Sequence, residues 1–259
     1  MNMDIEARIK NLRIFNLVMG FLHLAQGVVI LVLTTGFALP INTAFLTFQP
    51  ATRVLQPVIE TLVKVPLGPL VAVFLLLSAL AHFLIASPGI FPWYKKNIQK
   101  GINYARWYEY SISASLMVVL IGLLCGMYDL AALIMAFALT AVMNLCGLIM
   151  EVHNQTTQKT SWLSFNIGCI AGIVPWIAIA IYFFGSLSRP GGQAPAFVYA
   201  ILPSLFVFFF TFALNMFLQY KKVGPWKDYL YGERVYIILS LVAKSLLAWQ
   251  IFAGTLRPM

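Results

Sequence analysis

Charge is scarce in this chain: Asp, Glu, Lys and Arg together make up 10% of its 259 residues. Acids are rarer still, eight against seventeen bases. With 61% hydrophobic residues and a mean hydropathy of +0.87, a polar shell around a water-soluble core cannot be assembled, and the chain is an integral membrane protein. Histidine and cysteine are just as sparse, three of each. Cys125, Cys146 and Cys169 fall inside apolar segments without metal-type or disulfide spacing and read as small core residues. His153 sits in a polar connection, so His23 and His82 lack a third ligand and no metal site is expected. No nucleophile–base pair or phosphate loop is evident either, which argues against an enzyme. The net charge of +9 comes without a basic arm or an aromatic–basic stripe, so it does not point to nucleic acid. Its lysines and arginines lie between apolar runs, where they serve as membrane-face anchors. No small-x-small cleavage site follows the first run, which is too long for a signal peptide and should remain as a helix.

What is abundant is long apolar sequence. Seven runs reach spanning length, at about 12–35, 69–87, 102–127, 130–150, 162–184, 197–220 and 231–254. They predict an all-α fold, a single seven-helix membrane domain over 1–259. Residues 1–11 read as a short amphipathic lead-in. The longest polar connection, 36–68, carries β-branched and aromatic residues broken by Pro50 and Pro57, which suits a small hairpin on the membrane face. Pro88, Gly89 and Pro92 end the second run.

Charge then orients the bundle. Arg8, Lys10, Arg13, Lys95, Lys96, Lys100, Arg106, Lys159, Lys221, Lys222, Lys227 and Arg234, twelve in all, fall on the amino-terminal side. Only four, Arg53, Lys64, Arg189 and Arg257, fall on the other. The positive-inside rule places the amino terminus in the cytoplasm of a multi-pass cell-membrane protein, and the carboxyl terminus and hairpin outside. G-protein-coupled receptors run the opposite way.

The seventeenth base, Lys244, lies near the middle of the last run. An ammonium at that depth costs about 3 kcal/mol or more. About ten residues, roughly 15 Å of helix, separate it from the nearer interface, too far for comfortable snorkelling. A desolvated amine there is suited to condense with an aldehyde. Glu109 is the only carboxylate well inside an apolar run. Helical side chains lean toward their own amino terminus, and the third and seventh helices both start on the cytoplasmic side, so Lys244 and Glu109 can meet. The competing partner for Glu109 is Arg106, three residues earlier on the same helix.

His23 and His82 fall at a depth similar to Glu109, consistent with a shared polar pocket or with ordinary packing. Gly168, Gly172, Pro175 and Trp176 on the fifth helix, with Phe206 and Phe210 on the sixth, could form a flat-walled slot for a conjugated molecule. Small and aromatic residues also serve plain helix packing in membranes.

The lysine in Ser-Leu-Val-Ala-Lys244-Ser and the glutamate in Arg106-Trp-Tyr-Glu109-Tyr-Ser resemble those of the heliorhodopsins. So do Gly168-Cys-Ile-Ala-Gly-Ile-Val-Pro-Trp176 and Gly232-Glu-Arg-Val-Tyr236, so that the resemblance covers nearly the whole chain. It implies a retinal-binding photoreceptor, inverted relative to other microbial rhodopsins and commonly dimeric. It further implies all-trans retinal on Lys244 as a protonated Schiff base, Glu109 as counterion, and His23, His82 and Ser113 as a polar cluster able to accept a proton. Ser240, Met143, Gly147, Gly172, Trp176, Phe206 and Phe210 would line the chromophore. The expected function is a light sensor with a slow photocycle read by a cytoplasmic partner. A light-gated proton or ion conductor and a non-retinal transporter using Lys244 and Glu109 are the alternatives.

Overall fold

A computed structural model describes residues 2–256, so Arg257 of the charge count lies outside the described residues. Seven of its helices are long and apolar enough to cross a membrane. The chain begins directly in α1, Asn2–Leu33. The polar lead-in is therefore no separate element, because residues 2–19 contain no glycine or proline to break the helix. Ile9 and Leu12 in that stretch are buried, packed against Tyr94, Ile98 and Leu230.

The hairpin that follows is larger and less polar than the sequence suggests. Strands β1, Ala38–Gln49, and β2, Val54–Pro66, pair antiparallel from Ala38↔Pro66 to Gln49↔Val54, with one register shift at Ile41/Asn42. Strands of 12 and 13 residues extend about 40 Å at ~3.3 Å per residue. Phe45, Leu46, Phe48, Leu55 and Ile59 are exposed along them. At its base the Asn42 N–H donates to the Tyr128 carbonyl at 2.8 Å, tying the hairpin to a turn between helices.

Helix α2, Leu67–Ala86, leads to a short helix that the proline-rich sequence concealed: α3, Phe91–Ile98. Pro92 begins it rather than breaking it, because the first turn has no use for the missing N–H. The remaining spans are α4, Tyr104–Leu124, α5, Leu130–His153, α6, Leu163–Leu187, α7, Ala196–Tyr220, and α8, Tyr229–Ile251. Side-chain caps set three of their starts. Asn103, Asp129 and Asp228 accept from the backbone N–H of Arg106, Ala132 and Leu230. Helix α4 stops short of residue 127 because Gly126 takes φ +90°, open to glycine without a Cβ penalty. At the other end of the chain α8 runs on into a π turn, Phe252–Leu256.

Helix α4 is central, packing on α2 and α5 and touching α6 and α7. Its Leu120, Ile121 and Leu123 form one core with Phe74, Ile179 and Leu247. Cys125 and Cys146 are buried as expected, but Cys169 faces outward from α6.

Candidate functional site

Lys244 and Glu109 meet inside the bundle. Lys244 Nζ donates to Glu109 Oε1 at 2.8 Å and to Ser240 Oγ, one turn earlier on α8, at 3.0 Å. The Ser78 hydroxyl of α2 donates to the same carboxylate oxygen at 2.6 Å. Both side chains are nearly enclosed, 3% and 11% exposed, and the Tyr110 ring centroid lies 5.2 Å from Nζ. A buried ammonium survives in such a place only with an anion and hydrogen bonds around it, and α2, α4 and α8 supply them. The backward lean of side chains on two helices that start from the same face accounts for the encounter.

Beside this pair lie the two histidines. Their rings stack with centroids 5.6 Å apart and planes 13° apart. His82 Nδ1 donates to Asn16 Oδ1 at 2.7 Å, whereas both nitrogens of the fully buried His23 lack a protein partner. A cavity of about 40 Å³ is lined by His82, Ser78, Glu109, Arg106 and Tyr94. That is room for a water among polar groups. Tyr94 comes from α3, outside the spans, and burial raises its hydroxyl well above the ordinary phenol range, so it stays protonated. Ser113 stands one turn beyond Glu109 on α4, on the same face of that helix. Its buried hydroxyl borders the space that Lys244 and Ser240 also line.

Arg106 corrects two expectations. It pairs not with Glu109 but with Glu151 of α5 and Glu233 of α8, and at 7% exposure it is no membrane-face anchor. Asn103 Nδ2 donates to Glu233 at 2.7 Å and Trp107 Nε1 to Glu151 at 2.6 Å. The guanidinium carbon lies 3.9 Å from the centroid of Tyr236. Glu151 and Glu233 are 1% and 0% exposed, although both stand near helix ends where a sequence reading leaves carboxylates in water. The available signal was level: Arg106, Glu151 and Glu233 all lie within about one turn of a helix end on the same face of the bundle.

Toward α5, α6 and α7 the pocket opens into an apolar slot. Lys244, Ser240, Ser113 and Met117 border a space of about 40 Å³, which shares Tyr110, Met143, Asn144, Phe209 and Phe212 with a cavity of about 330 Å³. Gly147, Gly168, Gly172, Trp176, Phe206 and Phe210 complete the larger wall. A Cβ on Gly147 would strike the Trp107 indole, and one on Gly172 would strike the Met143 sulfur. The Trp176 ring meets Phe206 and Phe209 edge-on at 5.4 and 5.3 Å. Phe206 and Phe210 form the outer rim, 40% and 64% exposed, while Phe209 and Phe212, not singled out in the sequence, lie nearer Lys244. A narrow aromatic slot ending at a buried primary amine suits a conjugated aldehyde such as retinal, and the chain's residues fit that group.

The arrangement is that of a seven-helix rhodopsin. Heliorhodopsin is the family whose description matches residues 12–256, and the chain belongs to it. It is also similar to a solved structure, the light-driven proton pump LR (Mac) from Leptosphaeria maculans, at 17% identity over 92% of each chain with a TM-score of 0.61. At that identity the likeness shows the fold. No curated protein matches the chain. Family and fold together make this a retinal-binding, light-responsive, multi-pass membrane protein.

Proposed function

We propose that the protein is a light sensor rather than a pump, holding all-trans retinal on Lys244 with Glu109 as counterion. Bound there, retinal supplies a chromophore that light isomerises. The observation that carries the reading is a one-sided distribution of ionisable groups. Glu109, His82 and Arg106 line one cavity on the amino-terminal side of Lys244, and His23 stacks on His82. On the other side, residues 110–124 of α4, 245–251 of α8, 24–33 of α1 and 67–81 of α2 contain no acid, base or histidine. The same holds for 130–142 of α5, 173–187 of α6 and 196–208 of α7. A proton leaving the Lys244 nitrogen is therefore accepted among Glu109, His82 and His23 and returns by the same path. Illuminated cells should show no protonophore-sensitive pH change, and voltage-clamped membranes no sustained photocurrent. A steady proton flux in either direction would favour the conductor reading instead.

Glu109 also sets the colour. A carboxylate beside the Lys244 nitrogen stabilises positive charge there more in the ground state than in the excited state. Glu109→Gln should therefore move the visible band to longer wavelength, and an unmoved band would place the counterion elsewhere.

The charge asymmetry supports a cytoplasmic amino terminus, a homodimer in the bilayer being part of the same reading. A tag on the carboxyl terminus should be labelled from outside intact cells, and one on the amino terminus should not; the reverse pattern overturns the orientation.

A further inference from the structure

The face that carries the amino terminus holds another recess, of about 400 Å³, between the α5–α6 connection, the end of α7 and the start of α8. Lys100, Lys222 and Lys227 line it together with Gln219, Trp226 and Tyr229, and no acidic side chain does. Among the described residues none of these three lysines forms an ion pair. Basic residues on this face could be plain membrane-surface anchors. Gln219 argues for more. It is 8% exposed, its Nε2 donates to the Tyr229 carbonyl at 3.4 Å, and its Oε1 has no partner. A buried carbonyl oxygen without a donor is costly, and one bordering a cavity is satisfied when a ligand brings the donor.

We propose that this recess binds a phosphate-bearing anion that also carries a hydrogen-bond donor. The three ammonium groups would hold the phosphate, Gln219 Oε1 would accept from the donor, and Trp226 and Tyr229 would wall the rest. The volume falls in the range of small-molecule sites, roughly 300–1,000 Å³. A soluble nucleotide and an anionic lipid headgroup with free hydroxyls share this chemistry.

The recess is also wired inward. The Tyr229 hydroxyl donates to Glu151 Oε1 at 3.2 Å, and Gln155, another wall residue, donates to the Glu151 carbonyl at 3.1 Å. Glu151 holds Arg106, and Arg106 borders the small cavity beside Glu109. Occupancy of the recess and the state of the Lys244 site thus meet at one buried carboxylate, and each biases the other by the same factor. Only this coupling rests on the light-sensor reading; binding itself does not.

The test is equilibrium binding of ADP and of inorganic pyrophosphate, in the dark, to the full chain in neutral phosphatidylcholine nanodiscs. ADP should bind saturably and several-fold tighter than pyrophosphate, which has no sugar hydroxyl or base amino group to donate to Gln219. Lys222→Gln with Lys227→Gln should weaken ADP at least about tenfold while circular dichroism stays unchanged. Gln219→Leu should erase the preference for ADP over pyrophosphate. If the headgroup is the source, ADP will not bind, and phosphatidylglycerol will be retained through purification by the unsubstituted chain but not by the double variant. Absence of lysine-dependent binding of all three probes overturns the proposal and leaves the light-sensor reading standing, because nothing in the measurement requires a visible band.

Discussion

Lys244→Ala abolishes the visible absorption band when the protein is supplied with all-trans retinal. Covalent attachment needs an amine at the end of the aromatic slot, and Lys244 is the only buried lysine among the described residues. The other lysines lie near the faces of the bundle or in its connections, outside the cavities that meet at Tyr110, Met143 and Phe209. No substitute amine can reach the same space. The substitution also leaves the Glu109 carboxylate with only the Ser78 hydroxyl as a hydrogen-bond donor, so some loss of thermal stability should accompany the loss of colour. The measurement is a spectrum recorded before and after retinal addition. A surviving band that hydroxylamine bleaches would show that attachment occurs elsewhere.

The second large effect is on folding. Arg106→Leu should destabilise the protein by about 3–5 kcal/mol, the usual cost of removing one partner from a buried ion pair. The reason is local charge. One guanidinium stands between two carboxylates, Glu151 and Glu233, which are 1% and 0% exposed. Without the guanidinium these two carboxylates face each other across a desolvated space, and only the uncharged donors of Asn103, Trp107 and Tyr229 still join α4, α5 and α8 through them. Glu233→Gln should be much milder, because Arg106 keeps Glu151 and the cluster moves from a formal charge of −1 to neutral. The two variants should therefore separate clearly in thermal unfolding monitored by circular dichroism. Equal losses would mean that the cluster is held by shape and not by charge. The surface pair of Arg8 with Asp228, roughly a third and two-fifths exposed, is a useful contrast, worth about 0–1 kcal/mol.

The sequence by itself determined the membrane class, the seven spans and the depth of Lys244 and Glu109, because hydropathy and helical rise are local properties that a run of residues carries without reference to its neighbours. Depth also made the pairing of Lys244 with Glu109 foreseeable, since two side chains leaning the same way from one face reach the same level. Short-range features were misread where one residue type has opposite meanings: Pro92 looked like an end and is a beginning, and the hairpin's turn residues hid strands of 12 and 13 residues. Only the tertiary structure decided which way each helix is turned about its own axis. Arg106 and Glu109, three residues apart and neighbours on one face of α4, nevertheless take different partners, Glu151 and Glu233 for the first and Lys244 for the second. That rotation depends on how whole faces of α2, α4, α5 and α8 pack at once. In helices apolar on nearly every side the hydrophobic pattern gives it little expression, and burial of a charge is then set by the partners that packing delivers.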